Sequence, residues 1–91
     1  MEFLVRMTIR LPPDTPDQRR AELIAREAVR GRELIEQGAL IRIWRLPGRW
    51  ANISLYQAAD ATELHQLISS LPMWLWMDVS VEALATHPLE A

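Results

Sequence analysis

The chain has 91 residues, of which 49% are hydrophobic, and a formal net charge of −2 at pH 7. This length predicts a single domain over residues 1–91, with a core so modest that subunit contacts are expected to add stability. The acidic balance argues against a nucleic-acid or anionic-membrane partner, and the absence of cysteine excludes disulfides, thiolate catalysis and sulfur-ligated metals.

The sequence also bears on where the protein works. No apolar run approaches the ~18–20 residues that a membrane-spanning helix needs. Residues 1–6 lack the basic flank and apolar core of a signal peptide. We therefore expect a cytoplasmic chain without a membrane partner.

The first strand and the first helix are predicted from residues 1–38. Apolar and polar residues alternate over residues 1–11, with Phe3, Val5 and Met7 among the apolar ones. This period of two predicts a strand with one buried face. Thr15 is a potential N-cap for a helix that runs to about residue 37, with Gly38 as its left-handed stop. The apolar stripe of this helix contains Leu23, Ile24, Ala28, Gly31, Leu34 and Ile35.

The remaining elements are a hairpin, a helix and a strand. Residues 40–46 and 50–56 indicate two strands joined by Pro47-Gly48. The segment from Asp60 to Glu63 is a capping box that opens a short helix, Pro72 closes that helix, and residues 77–84 form the last strand. The second hairpin strand is predicted to turn Ala51, Ile53 and Leu55 to the core, and Trp50, Asn52, Ser54 and Tyr56 to the other face.

This order of elements predicts the fold class, α+β. The expected architecture is a ferredoxin-like βαββαβ sandwich, in which one antiparallel sheet carries two helices on one face. The opposite face would then carry Trp44, Trp50 and Tyr56. Because exposed aromatic side chains in a row are usually covered by another subunit or a ligand, we expect a homo-oligomer.

Glu27 is the most informative residue for function. At about 100° per residue it lies inside the apolar stripe of the first helix, with Leu23 on one side and Gly31 on the other. Burial without a partner would raise the pKa of this carboxyl toward neutrality, where it can accept and return protons. The alternative is a structural ion pair, with Arg20, Arg30 or an arginine of the sheet.

Two further candidates lie on the hairpin. Asn52 stands in mid-strand, where asparagine is disfavoured. Its amide is therefore expected to make a specific hydrogen bond, either to a ligand or to a neighbouring strand or subunit. Arg45 can bind a carboxylate through two parallel hydrogen bonds, or it can make a structural ion pair, with Glu27 among the candidates.

The histidines and the late tryptophans give weaker signals. His65 lies beside the apolar stripe of the second helix, and a lone helix histidine is more often structural than catalytic. The spacing between His65 and His87 is not that of metal ligands, so no metal is predicted. Trp74 and Trp76 either wall a pocket or fill a subunit contact.

An ordered set of short segments gives the chain a family likeness. The set comprises Phe3-Leu4-Val5-Arg6-Met7, Leu11-Pro12, Glu27, Trp44-Arg45, Gly48, Ala51-Asn52, Ser54, Leu64-His65, Leu71-Pro72, Met77-Asp78, Val81, Leu84 and His87-Pro88. Each segment is weak alone, but the ordered set is fairly specific. The chain resembles muconolactone Δ-isomerase over nearly its whole length.

This resemblance implies a ferredoxin-like subunit of a homodecamer and a cofactor-free reaction in the β-ketoadipate pathway of aromatic catabolism. The reaction converts muconolactone, a small lactone, to the 3-oxoadipate enol-lactone by moving a proton along an allylic system. The resemblance assigns Glu27 as the proton carrier and Asn52 as the hydrogen-bond partner of the substrate. It assigns substrate contacts to Trp44, Arg45, Ser54 and His65, with Arg45 as the candidate for the acetate side chain.

The chain departs from the expected family pattern at several positions. Arg42 stands where histidine is expected, Ala28 where lysine is expected, and Trp50 where tyrosine is expected. Tyr56-Gln57 replaces phenylalanine-aspartate, and Trp74-Leu75-Trp76 replaces phenylalanine-proline-tyrosine. These changes enlarge aromatic walls and move positive charge. A related dehalogenase or cyclase acting on a different unsaturated lactone or acid is therefore an alternative, as is a non-catalytic oligomeric binding protein.

Overall fold

The structure, a computed structural model, describes residues 1–90. In chain order its main elements are strand β1 (Glu2–Ile9), helix α1 (Asp17–Glu36), strands β2 (Leu40–Arg45) and β3 (Ala51–Gln57), helix α2 (Ala61–Ser69) and strand β4 (Met77–Leu84). Short 3₁₀ turns span Trp74–Trp76 and Pro88–Glu90. Neither α1 nor α2 is long and apolar enough to cross a membrane, and the described residues contain no other helix that is.

The four strands form one antiparallel sheet in the order β2-β3-β1-β4. β1 lies inside the sheet, where Val5 is opposite both Ser54 of β3 and Val81 of β4. The first and last strands of the chain are therefore neighbours, and each helix connects two strands that are not. This topology confirms the predicted α+β sandwich of the ferredoxin-like type.

The core lies between the sheet and the two helices. Phe3, Val5 and Met7 of β1 are each at most 3% exposed, which confirms the predicted buried face of the first strand. Leu34 of α1 and Leu64 of α2 belong to the same buried cluster. Since one cluster takes members from both helices, α1 and α2 cover the same face of the sheet.

Two predicted helix signals are confirmed. Asp60 caps α2, because its Oδ1 accepts a hydrogen bond from the Glu63 N–H at 2.8 Å. Glu63 Oε1 in turn accepts a hydrogen bond from the Ala59 N–H at 3.2 Å. Gly38 has φ +77°, so the chain leaves α1 through the left-handed conformation that glycine adopts without strain.

The predicted cap of α1 by Thr15 is wrong. α1 begins at Asp17 after Pro16, and no side chain caps its first turn. The Thr15 hydroxyl instead donates to the Pro12 carbonyl at 2.7 Å, and the Thr15 backbone N–H donates to the same oxygen at 3.0 Å. The Thr15 hydroxyl therefore stabilises the turn after β1 and does not cap α1.

The predicted orientation of β3 is also wrong. Asn52, Ser54 and Tyr56 face the helices, because they pair with the inward residues Met7, Val5 and Phe3 of β1. Ile53 and Leu55 lie half-buried on the outer face instead. The prediction placed the aliphatic side chains inward, but the inward positions of β3 line a cavity and carry polar groups.

This orientation corrects the expected row of outer aromatic residues. Trp44 does lie on the outer face, opposite Ile53, and is 44% exposed. Tyr56 is 2% exposed and belongs to the core. Trp50 lies on the inner side, where the Arg20 guanidinium of α1 sits 4.7 Å from the centroid of its ring.

The burial of α1 predicts which of two adjacent side chains holds the helix to the sheet. Leu34 is 0% exposed, whereas Ile35 is 52% exposed, although both belong to the predicted stripe. Leu34→Ala should lower the free energy of unfolding by about 2–5 kcal/mol through lost burial and a residual cavity. The matched Ile35→Ala change should cost less than half as much. Urea denaturation of both variants measures the difference, and equal losses would contradict this account of the core.

Candidate functional site

A cavity of about 350 Å³ lies between α1 and the inner face of the sheet. This volume falls at the lower end of the range for small-molecule pockets, about 300–1,000 Å³. A Cβ atom built at Gly31 meets no atom within 4 Å, so this glycine leaves open space beside Glu27, one turn earlier on α1. The polar lining residues include Glu27 and Arg32 of α1, Arg45 of β2, and Asn52, Ser54 and Tyr56 of β3.

Glu27 is the half-buried acid of this cavity. Its Oε1 accepts a hydrogen bond from the backbone N–H of Met73 at 2.9 Å. No hydrogen-bond partner within residues 1–90 contacts its other oxygen, Oε2, which is not sealed off from solvent. Burial raises the pKa of Glu27, and the Met73 hydrogen bond opposes this rise in part. One oxygen is therefore anchored, and the other is free to exchange a proton.

The structural ion-pair interpretation of Glu27 finds no support among the described residues. Over residues 1–90, no arginine nitrogen lies within 4.0 Å of its carboxylate. Arg30 donates through Nε to the Ser70 hydroxyl at 3.0 Å and pairs with Glu33 at 3.7 Å. Arg20 lies over the Trp50 ring. Arg20 and Arg30, the two helix arginines predicted as partners of Glu27, are thus engaged with other groups.

Asn52 and Ser54 form a coupled pair on the cavity wall. The Ser54 hydroxyl donates to Asn52 Oδ1 at 3.0 Å. Ser54 is 1% exposed and lines the cavity, and its predicted contact with substrate stays a prediction. The hydrogen bond from Ser54 uses the acceptor side of the amide and leaves the two N–H donors of Asn52 for other partners. The corrected orientation of β3 places this amide on the same side of the sheet as Glu27.

Tyr56 is a cavity residue that the sequence interpretation missed. Burial, and secondarily the negative charge of Glu27, raise the pKa of Tyr56 to about 12, against a lowering effect of Arg30. The signal was present in the sequence, because Asn52, Ser54 and Tyr56 were grouped on one face by their alternation. That face was assigned to the wrong side of the sheet.

Two arginines supply positive charge to the cavity. Arg45 was predicted as a substrate contact, and it lines the cavity from β2. Arg32 was missed, although it lies on α1 one turn after Ala28, where the resemblance predicts a lysine. Within residues 1–90 neither guanidinium lies within 4.0 Å of an acidic oxygen. Both can therefore pair with a carboxylate of a ligand.

Trp44 and His65 lie outside this cavity. Trp44 is on the outer face of the sheet, where the Arg42 guanidinium sits 4.9 Å from its ring centroid. His65 is exposed on α2 and packs edge to face on Trp74, with ring centroids 5.8 Å apart. Their predicted contact with substrate has no counterpart in the geometry of one chain. It stays a prediction that would need a site shared between subunits.

A second groove, of about 370 Å³, lies near α1 and Pro72. The only carboxylate that residues 1–90 contribute to this groove, that of Glu33, is paired with Arg30 in the same wall, so it is not available as a free base. Over residues 1–90, no group of three or more histidine, aspartate or glutamate side chains is placed to hold a metal ion. The cavity beside Glu27 is therefore the candidate functional site.

The raised pKa of Glu27 predicts how stability depends on pH. Its ordinary pKa is 4.5, and folding raises it, so stability due to the bound proton is lost as pH rises through the folded-state value. Glu27→Gln keeps an oxygen for the Met73 N–H. This variant should therefore be more stable than the native chain at pH 7–8, and the gain should vanish near pH 3.

Thermal denaturation at the two pH values tests this prediction, and a ¹³C titration of the Glu27 carboxyl should show a midpoint above 4.5. Glu36→Gln changes an exposed glutamate near the end of the same helix and serves as the matched control. A stability difference that is the same at both pH values would show that desolvation of Glu27 is not its cause.

Comparison with known proteins gives a consistent result. The family model for muconolactone delta-isomerase matches residues 1–90. Muconolactone Delta-isomerase 2 of Acinetobacter lwoffii is 39% identical over 96% of this chain and 91% of its own length. The muconolactone Delta-isomerase of Cupriavidus pinatubonensis is 36% identical over 97% of this chain and 96% of its own length.

The backbone agrees with the sequence. A crystal structure of muconolactone isomerase superimposes on this chain with a TM-score of 0.91 at 33% identity, covering 97% of this chain and 92% of that chain. The likeness thus extends over nearly the whole chain in sequence and in backbone, and the chain belongs to the muconolactone delta-isomerase family.

Proposed function

We propose that this protein is a cofactor-independent isomerase that converts muconolactone to the 3-oxoadipate enol-lactone in aromatic catabolism. The observation that carries the proposal is the free oxygen of Glu27, an acid with a raised pKa beside a cavity of about 350 Å³. The membership of the chain in the muconolactone delta-isomerase family supports the same reaction. A general base works best when its pKa lies near the operating pH, which burial of Glu27 favours.

In the proposed reaction Glu27 is both base and acid. Its carboxylate takes the proton from the ring carbon next to the double bond, and the electron pair of that C–H bond enters the conjugated system. The negative charge then rests mainly on the lactone carbonyl oxygen of a dienolate. Protonated Glu27 returns the proton to the ring carbon at the far end of the allylic system, so the double bond has moved and no atom has been gained or lost.

Asn52 has the second role in the proposal. Its N–H donors are free because Ser54 holds the amide oxygen, so the amide can donate to the carbonyl oxygen where charge develops. Removing one such donor from an enzyme typically costs about 10²–10³ in rate. Ser54 acts through Asn52, by fixing the orientation of the amide.

Arg45 has the third role, as the partner of the acetate carboxylate of the substrate. Its unpaired guanidinium lines the cavity, and a planar guanidinium binds a carboxylate through two parallel hydrogen bonds. This contact would fix the ring against Glu27, and Arg32 adds positive charge from the α1 side of the cavity.

Assembly is part of the same proposal. The chain exposes 6294 Å² of surface, whereas a monomer of 10.5 kDa is expected to expose about 5,400 Å². Its radius of gyration is 14.2 Å, against about 12 Å for a compact domain of this length. These values support a homo-oligomer, for which the resemblance implies a decamer. The absence of cysteine is compatible with the reducing cytoplasm in which we place the enzyme.

The proposed chemistry predicts a large effect of Glu27→Gln. The purified protein should convert muconolactone to the enol-lactone. In heavy water, exchange of the protonated Glu27 carboxyl with solvent before the return step should place deuterium at the reprotonated carbon. Glu27→Gln removes the proton carrier, so kcat should fall by about 10²–10⁴. Absorbance of the enol-lactone and proton NMR measure both results.

The matched control is Glu36→Gln, which should leave kcat unchanged. A wild-type protein without turnover would remove the proposal. Full turnover by Glu27→Gln would remove the assigned role of Glu27.

The proposed assembly has its own prediction. Sedimentation velocity at micromolar concentration should give a species about ten times the 10.5 kDa mass of the chain. Trp44→Glu places a charge on the outer sheet face, which an apolar subunit contact does not tolerate, so this variant should sediment as smaller species. A wild-type monomer in this experiment would contradict the proposed assembly.

A further inference from the structure

Tyr56 is a buried cavity residue that the proposed chemistry does not use. It is 2% exposed, it belongs to the core cluster, and it lines the cavity together with Asn52 and Glu27. The aromatic ring therefore has a structural role, because it packs in the core. The hydroxyl needs a separate account.

The Tyr56 hydroxyl has no hydrogen-bond partner within residues 1–90, yet it is not an enclosed polar atom without a partner. Both statements hold only if the hydroxyl oxygen reaches accessible space while the ring stays buried. The space that Tyr56 lines is the cavity beside Glu27. Because buried tyrosine hydroxyls usually find a partner, a hydroxyl at a cavity wall is a site for a ligand or for water.

The charge state of this group makes it a donor. Its pKa of about 12 keeps the hydroxyl protonated throughout the physiological range. Tyr56 and Glu27 line the same cavity, and the charge of Glu27 contributes to the raised pKa of Tyr56. A ligand placed for proton exchange with Glu27 is therefore also near the hydroxyl of Tyr56.

We infer that the Tyr56 hydroxyl donates a hydrogen bond to an oxygen of the bound lactone group. This inference rests on the proposed function, and it adds a third substrate contact to Asn52 and Arg45. It also gives a physical meaning to one departure from the family pattern, since phenylalanine is expected at position 56. The added hydroxyl would favour ligands that present an acceptor oxygen beside Glu27.

Tyr56→Phe tests the inference, because it removes the hydroxyl and keeps the ring in the core. The variant should keep the thermal midpoint and oligomeric mass of the wild type. Its kcat/KM for muconolactone should fall about tenfold, as expected for a lost hydrogen bond that strengthens in the transition state. Ser80→Ala, which removes an exposed hydroxyl on β4, should leave kcat/KM unchanged.

A binding experiment separates this inference from the proposed function. The probe is an unreactive saturated lactone acid, a five-membered lactone ring that carries an acetate side chain. Tyr56 is the only tyrosine of the chain, so ¹³Cζ labelling of tyrosine gives a single NMR resonance. The probe should shift that resonance, and Tyr56→Phe should bind the probe several-fold more weakly.

The outcomes are distinct. A wild type that fails to turn over muconolactone, but whose Tyr56 resonance moves with the probe, would remove the proposed function and keep the hydrogen bond. Binding that shifts the Asn52 amide resonance without moving the Tyr56 resonance, with equal affinity in Tyr56→Phe, would overturn the inference. Absence of any binding of the probe at millimolar concentration would overturn it as well.

Discussion

The hydrogen bond from the Met73 N–H to Glu27 is the constraint on which the site depends. Burial of a carboxylate favours its protonated form, whereas a backbone donor favours the charged form, and Glu27 experiences both effects at once. A carboxylate with neither effect would be an ordinary acid, and one with several donors would be held permanently charged. The balance leaves an acid that can lose and regain a proton. The same bond fixes α1 to the segment that follows α2, so the geometry of the acid depends on the packing of both helices.

The inner face of β3 shows how a functional surface can invert a folding pattern. Strand positions that point into a core usually carry aliphatic side chains, and β1 follows that rule with Phe3, Val5 and Met7. β3 instead directs Asn52, Ser54 and Tyr56 inward and leaves Ile53 outside. Polar groups are tolerated there because Ser54 bonds to Asn52 and because the cavity gives the remaining polar atoms access to solvent.

The sequence allowed prediction of features that local physics decides. The buried face of β1, the cap of α2 at Asp60 and the left-handed end of α1 at Gly38 all depend on residues within one turn or strand. Glu27 could be singled out because helical periodicity alone places it in an apolar stripe. The Met73 contact could not be predicted, because it joins residues 46 positions apart through the packing of two helices. The prediction of which face of β3 points inward was wrong for the same reason, because only the pairing of β3 with β1 decides that orientation.

In a single chain the cavity beside Glu27 is open to water. Ile24, Ile35 and Ile43 line it and are each about half exposed, between 45% and 52%, so its apolar wall is in contact with water. If a second subunit of the proposed oligomer covers this wall, the water beside Glu27 is displaced and desolvation of its carboxylate increases. Assembly would then raise the pKa of Glu27 further, while the Met73 bond inside the chain stays the same. In such an arrangement oligomerisation and acid strength are linked, because the surface that stabilises the assembly is also the surface that removes water from the proton carrier.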